Sequence, residues 1–226
     1  MYSFLTGPML WVAMLVFFGG LAIRVVLYIR GLSQQLDRVA YGPHFNRGIQ
    51  GAVHSALKWL VPFGTYSWRA QPFFTVVFFL FHIGLVLVPL FLAGHNIILE
   101  ERFGFSLPTL PMGVADALTV LAIIGGALIA LRRVALTEVR ILTDAQDWFI
   151  LGLSLALLVS GFIARLHLGD YETWITAHII FGEAVLILAP FTKLSHIALY
   201  FMSRGQLGMD YAIKRGGATR GPAFPW

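Results

Sequence analysis

Five stretches of the sequence are long and apolar enough to cross a membrane as helices. They lie at about 8–29, 72–99, 112–131, 148–168 and 174–202. A membrane-spanning helix needs about 20 mostly apolar residues, because each residue adds about 1.5 Å and the hydrocarbon layer is about 30 Å thick. The pattern therefore predicts an all-α integral membrane protein built as a bundle of five transmembrane helices.

The composition excludes several other classes of protein. Hydrophobic residues make up 58% of the 226 and charged residues only 12%, whereas a soluble domain carries about 25% charged residues. The chain has no cysteine, which excludes disulfides, thiolate zinc sites, cysteine-ligated iron–sulfur clusters and covalently attached c-type haem. No repeat and no soluble segment stands out, so residues 1–226 are predicted to form one membrane domain. The first apolar segment is expected to be a retained helix rather than a signal peptide, because its cations, Arg24 and Arg30, come at its end.

The positions of the basic residues predict how the helices are oriented. Loops on the cytoplasmic side of membrane proteins are enriched in Lys and Arg. With the N-terminus outside, 14 of the 16 basic residues fall on the cytoplasmic side. They are Arg24, Arg30, Arg38, Arg47, Lys58, Arg69, Arg132, Arg133, Arg140, Lys193, Arg204, Lys214, Arg215 and Arg220. We therefore expect an outside N-terminus and a cytoplasmic C-terminus, and the net charge of +5 needs no nucleic-acid partner.

Two cytoplasmic segments follow from this topology, a connection at about 31–71 and a tail at about 203–226. The connection contains apolar residues at the spacing of one helix face, namely Ile49, Val53, Ala56, Leu57 and Leu60. That spacing predicts an amphipathic helix lying in the membrane interface. The tail is rich in Gly and Pro toward its end and is expected to be extended.

Four of the seven histidines fall in or at the ends of two predicted spans. His82 and His95 belong to the second span, and His178 and His196 to the fifth. Polar residues inside a membrane are expensive and usually functional. Neutral imidazole is a good axial ligand for haem iron, and ligation by two histidines needs no cysteine. Two helices with a histidine near each end are the minimum for two stacked b haems, although a single such histidine is more often an interfacial, hydrogen-bonded residue.

Helix geometry supports one pairing more simply than the other. His178 and His196 are 18 residues apart, which is five full turns of a continuous helix and about 27 Å, so both would point the same way. His82 and His95 are 13 residues apart, which gives about 20 Å and a mismatch of about 140° on an ideal helix. An inner pair, His82 with His196, needs no distortion. An outer pair, His95 with His178, requires one, and Pro89 between the two histidines of the second span is expected to supply it as a kink.

Four further residues are candidates for contacts with the cofactors. Arg69, Arg132 and Arg133 could hold haem propionates, although ordinary anchoring of basic residues on the cytoplasmic side explains them more simply. Glu183 falls inside the fifth span, where a buried carboxylate is expensive unless it is paired. It is therefore a candidate for proton handling or for contact with a quinone. His167, at the outer end of the fourth span, is the reserve ligand if His95 is none.

Four motifs give the sequence a resemblance to a known family. They are TYSWRA at 65–70, FHIG at 81–84, IGG and LRR within 124–133, and HIIFGEAVLILAPFTKLSH at 178–196. Together they resemble the gamma subunit of respiratory nitrate reductase, a five-helix dihaem cytochrome b. The resemblance implies that His82 and His196 hold a haem b near the cytoplasm, and that His95 and His178 hold a second one near the outer face.

Two departures from that family concern the outer pair and the quinone site, and the second of them, with the long first connection, suggests another branch of the family. The spacing from His82 to His95 is about three residues longer, and the stretch LPTLPMGVADALTV lacks the lysine that the family places near its quinone. Related cytochromes of sulfate reducers work beside CCG-type iron–sulfur proteins and periplasmic multihaem cytochromes c, in the high-molecular-weight cytochrome, type II cytochrome c3 and Dsr complexes. The resemblance thus implies other membrane subunits, a cytoplasmic iron–sulfur partner, and an outer partner that is a cytochrome c or menaquinone.

We accordingly expect an electron-transfer subunit of a membrane oxidoreductase complex, in the cytoplasmic membrane of a bacterium or archaeon engaged in anaerobic respiration. Two alternatives remain at this stage. One is a haem-free membrane anchor, and the other is a transporter that uses Glu183 and the histidines as a proton or solute path. The absence of repeat symmetry and the scarcity of charges inside the spans speak against the transporter.

Overall fold

A computed structural model describes residues 2–32 and 42–214 of the chain. These residues form helices and turns and contain no strand. Five helical segments among them are long and apolar enough to cross a membrane, at Tyr2–Leu32, Pro72–Phe91, Met112–Ala135, Ala145–Arg165 and Tyr171–Phe191. The prediction of an all-helical chain with five helices that could span a membrane is confirmed for the described residues. Arg38 and the end of the predicted tail, with Arg215 and Arg220, lie outside the described residues.

The described part contains eight helices of eleven or more residues. They are α1 Leu10–Leu32, α2 Phe45–Leu60, α3 Pro72–Phe91, α4 Ala93–Phe103, α5 Met112–Ala135, α6 Ala145–Arg165, α7 Tyr171–Leu188 and α8 His196–Lys214. The amphipathic pattern in the first connection thus forms a helix, α2, as predicted. The chain divides into two compact units, the first within Met1–Ala13 and Val76–Leu186, the second within Met14–Thr75 and Ile187–Trp226.

Small residues let the spans of the first unit approach each other closely. A Cβ built at Gly84 of α3 would lie 2.5 Å from the carbonyl oxygen of Leu118 in α5. At Gly126 of α5, a Cβ would lie 2.6 Å from the side chain of Leu155 in α6. Close backbone approach through glycine is a common way to pack helices in membranes, where the hydrophobic effect does not drive their association. Phe81 is buried beside these contacts in the core of the unit.

The second predicted span is divided into two helices. We expected one helix over 72–99 with a kink at Pro89, but α3 continues through Pro89 to Phe91 and the break falls at Leu92. Leu92 has extended backbone angles (φ −74°, ψ 134°), and α4 starts directly after it. His95 therefore belongs to a different helix from His82.

The fifth predicted span is also divided, and here the prediction of a continuous helix over 174–202 is wrong. Helix α7 ends at Leu188, and two short 3-10 turns at Ala189–Phe191 and Lys193–Ser195 precede α8. Pro190 has no N–H to continue the α-helix, and Thr192 between the turns is extended (φ −122°, ψ −177°). The argument that five full turns align His178 with His196 therefore does not apply to this chain.

Helices α2 and α8 pack side by side in the second unit. A Cβ at Gly51 would lie 2.2 Å from the carbonyl oxygen of Gly208, and one at Gly208 would lie 2.2 Å from that of Gly51. The hydroxyl of Tyr200 donates a hydrogen bond to the carbonyl of Ala56 (2.8 Å). The guanidinium of Arg204 lies 4.1 Å from the centre of the Trp59 ring, which is within the range of a cation–π contact.

Candidate functional site

The first unit brings together the imidazole rings of His95 and His178. Their ring centres are 6.0 Å apart and their planes are parallel to within 3°. Both rings are partly buried. The two residues lie on α4 and α7, which are remote in sequence, so this juxtaposition is a product of the fold. It is the predicted outer pair.

The break at Leu92 places His95, because the carbonyls of Pro89 and Leu90, which the break leaves without their usual helical donors, bind side chains instead. Nδ1 of His95 donates to the carbonyl of Pro89 (2.9 Å). The side-chain amide of Asn96 donates to the carbonyls of Leu90 (2.9 Å) and Leu92 (3.1 Å). Buried backbone carbonyls must be paired, and here the pairing groups are the histidine and its neighbour. The same bonds that close the helix end therefore fix the orientation of the His95 ring.

Asn96 is a positioning residue that the sequence analysis did not find. Its side chain is 2% exposed, and its Oδ1 accepts a hydrogen bond from the backbone N–H of Leu107 (2.6 Å). The amide thus links the break to the segment that leads into α5. The sequence does carry a signal for this role, because Asn96 is a polar residue directly after a candidate ligand in an apolar segment. Such a residue needs hydrogen-bond partners when it is buried.

His178 is held by the backbone of α6. Its Nδ1 donates to the carbonyl of Leu157 (3.0 Å). The ring lies against Gly161, where a Cβ would be 2.6 Å from both Cε1 and Nδ1 of the imidazole. Only a residue without a side chain leaves room for the ring in this place. Gly161 is a second positioning residue that the sequence analysis missed, because an isolated glycine in a helix carries no specific signal.

All four candidate ligands share one hydrogen-bonding arrangement. Nδ1 of His82 is 2.9 Å from the carbonyl of Phe78, and Nδ1 of His196 is 2.8 Å from that of Lys193. A carbonyl can only accept, so Nδ1 carries the proton in each neutral ring and the lone pair lies on Nε2. Histidines that bind a metal typically donate the N–H of their other ring nitrogen to such an acceptor, which fixes the tautomer.

The local environment keeps His95 in the form that can bind a metal. Its ring lies beyond the end of the span at Phe91. Burial lowers the pKa of His95, and the bond to the Pro89 carbonyl opposes this only in part. The neutral imidazole, with a lone pair on Nε2, therefore dominates near pH 7.

His82 and His196, the predicted inner pair, belong to different units. The His82 ring stacks on Phe78 with ring centres 3.9 Å apart. His196 is exposed at the first residue of α8. Their pairing stays a prediction.

The three candidate arginines lie at helix ends. Arg133 forms an ion pair with Asp147 (3.7 Å) and donates to Thr143 (3.1 Å). Arg69 donates to the carbonyl of Phe63 (3.1 Å). Arg132 occupies the last turn of α5. Such contacts with protein groups suit anchoring at helix ends, and contact with haem propionates stays a prediction.

Glu183 is the most deeply buried acidic residue of the described chain. Its side chain is 4% exposed, and its Oε1 has no hydrogen-bond partner among the described residues. A buried polar group without a partner destabilises a protein by about 1–3 kcal/mol. This arrangement is the one expected of a residue kept for function rather than stability.

No group of three or more His, Asp or Glu side chains within the described ranges could hold a metal ion. A haem differs from a bare ion in this respect, since its porphyrin supplies four nitrogens and the protein adds only axial ligands. Of the other histidines, His167 stacks on Tyr171 with ring centres 4.9 Å apart. His44 precedes α2 directly, and His54 lies within it.

Comparison with known proteins gives a relative that matches the chain over its whole length. A protein of Nitratidesulfovibrio vulgaris (strain Hildenborough) is 79% identical over 226 residues, which is 100% of both chains. No family model matches the sequence. No solved structure matches it either.

Proposed function

We propose that this chain, which belongs to the same family as the Nitratidesulfovibrio vulgaris protein, is a membrane cytochrome b that carries electrons across the cytoplasmic membrane. The observation that carries the proposal is the pair His95 and His178, with parallel rings 6.0 Å apart. The resemblance of its motifs to the gamma subunit of nitrate reductase supports the same function. Two b haems are proposed, one held by this pair and one by His82 and His196.

The two rings lie close together but farther apart than closely stacked rings. Their centres are 6.0 Å apart, whereas the stacked rings of His82 and Phe78 have centres 3.9 Å apart. Nδ1 of each histidine donates to a carbonyl, so the lone pair of each ring lies on Nε2. His95 and His178 would therefore each offer one nitrogen to the iron of a haem bound at this place.

The chain's own residues would orient the cofactor, bury it and set its position in the membrane. Haem b supplies one-electron redox chemistry when it is bound. Pro89 and Leu157 orient the outer ligands through their carbonyls. We place the N-terminus outside and the C-terminus in the cytoplasm, on the distribution of basic residues. The inner site would then face a cytoplasmic iron–sulfur protein, and the outer site a periplasmic cytochrome c or menaquinone.

The primary test is the haem content of the purified full-length chain, by pyridine haemochrome and a reduced-minus-oxidised spectrum. Two haems b per chain are expected. Because the chain has no cysteine, any haem that it holds is bound non-covalently. A content of one haem per chain would support the proposed function but leave only one of the two proposed sites. No haem would overturn the proposal in favour of a membrane anchor, or of a transporter if the chain moves a solute in liposomes.

Replacing His196 with alanine is expected to remove the inner haem alone, because the proposed inner site then keeps only one of its two ligands. Haem content should fall from two to one, and the remaining signal should be that of the outer site in low-temperature spectra. The matched control is His44→Ala, which changes a histidine just outside α2 and should leave both haems. Full haem content in the His196 variant would contradict the inner pair.

Glu183→Gln is expected to keep both haems and to slow their reduction by a menaquinol analogue at least about tenfold. The substitution keeps the shape of the side chain and removes its exchangeable carboxyl proton, and acid–base groups contribute about 100-fold or more to such reactions. Stopped-flow absorbance of the haem bands measures the rate. Glu172→Gln, at an exposed position in the first turn of α7, is the control. Reduction at the unmodified rate in both variants would exclude Glu183 from the quinol reaction.

A further inference from the structure

Helix α2 has three distinct faces, and only one of them is covered by the other described residues. Gly48, Gly51 and Ser55 are buried against α8. A second face carries the exposed cations Arg47 and Lys58. The third face is an apolar stripe with one residue per turn, formed by Phe45, Ile49, Val53 and Leu57. These four side chains are between 42% and 56% exposed.

One end of α2 is tied to the first turn of a membrane span. The indole N–H of Trp68 donates to the carbonyl of Trp59 at the end of α2 (3.2 Å), and the two rings meet edge to face at 5.4 Å. The hydroxyl of Thr75, in the first turn of α3, donates to the carbonyl of Trp68 (2.7 Å). The end of α2 therefore lies at the depth where α3 enters the membrane. Tryptophans are enriched at that depth in membrane proteins.

The partner helix α8 is tied to the end of another span. The hydroxyl of Tyr28, in the last turns of α1, donates to the side-chain carbonyl of Gln206 in α8. The turn before α8 packs on α1 as well, since a Cβ at Gly20 would lie 2.6 Å from the ring of Pro190. Both helices of the pair are thus fixed to ends of spans that lie in the same unit.

We propose that the α2–α8 pair lies in the membrane interface, with the apolar stripe of α2 in the acyl chains and with Arg47 and Lys58 at anionic lipid headgroups. A helix with an apolar face, a basic flank and anchors at span ends matches an interfacial helix. A stripe of this length left in water would be an unusual exposed apolar patch. The proposal concerns a lipid surface and does not depend on the haem sites.

Because the chain has no cysteine, single spin labels can report the depth of each face of α2. The full chain carrying Val53→Cys or His54→Cys is labelled and reconstituted in phosphatidylcholine vesicles with an equal share of phosphatidylglycerol. Val53 lies on the stripe, whereas His54 is exposed on the side of the helix that carries Arg47. We expect the label at position 53 to collide several-fold more with oxygen than with a water-soluble nickel complex, and the label at position 54 to show the reverse.

Two results would overturn the proposal. Equal access of the nickel complex to both labels would place the stripe in water. Protection of position 53 from both reagents would mean that protein, such as a second copy of the chain, covers the stripe. The headgroup contact is tested by Arg47→Gln with Lys58→Gln. In the chain with the native cations, the label at position 53 should lie deeper in vesicles with phosphatidylglycerol than in vesicles of phosphatidylcholine alone. The double variant should lose this difference, and retention of the difference would remove the two cations from the contact.

Discussion

Replacement of His178 by alanine is expected to lower the haem content of the chain from two to one, and replacement of His95 should have the same effect. The rings lie 6.0 Å apart with parallel planes, and the two residues are proposed to hold the same haem. A haem that loses one of two protein ligands is held only by the other. We expect the double variant to lose no more haem than either single variant, because both residues serve one site. Pyridine haemochrome measures the content, and low-temperature spectra identify the site that is lost.

The control for this experiment is His167→Ala. His167 lies at the end of α6 and stacks on Tyr171, so its loss should leave both haems in place. A variant that combines His95→Ala with His82→Ala should lose both haems, because these residues belong to different proposed sites. Additive losses of haem in the His95 and His178 double variant would show that the two histidines do not hold the same haem. The assignment of the outer site would then be wrong.

Much of the architecture follows from hydropathy alone. A span must pair every backbone group internally, so an apolar run of sufficient length has few alternatives to a helix. For the same reason the spans over 112–131 and 148–168 were predicted close to their observed bounds, Met112–Ala135 and Ala145–Arg165. Helix α2 was predictable from its periodicity, because an amphipathic pattern needs no tertiary contact to be recognised.

The two helix breaks were not predictable in the same way, although they determine where the candidate ligands His95 and His196 lie. Each break lies two or three residues after a proline and shortly before a candidate ligand, at Leu92 before His95 and at Thr192 before His196. A proline marks where a helix is weak, but side-chain partners determine where the chain leaves the helical geometry. At Leu92 those partners are the Asn96 amide and the His95 ring. Azimuths computed on an ideal helix therefore do not apply to His178 and His196, whereas the distortion expected between His82 and His95 is present as the break at Leu92.

The second large effect is expected from Gly161→Ala, at a residue that carries no chemistry of its own. The added methyl group would lie 2.6 Å from Cε1 and Nδ1 of His178, which no carbon atom tolerates. The imidazole is the end of a side chain and can rotate away more easily than the helix can move. It would then lose its bond to the Leu157 carbonyl and its alignment with His95. We expect most of the outer haem to be lost, with a change of less than about 2 kcal/mol in the free energy of unfolding.

Gly152→Ala is the matched control, because it adds the same methyl group to the same helix where nothing lies within 4 Å. Alanine favours a helix over glycine by about 1 kcal/mol, so this variant should keep both haems and be at least as stable as the original chain. Haem content and thermal unfolding measured on both variants separate the two roles that Gly161 could have. If it serves only helix packing, the Gly161 variant will lose stability and both haem signals together. If it makes room for the His178 ring, the outer haem alone will be lost while the helices stay folded.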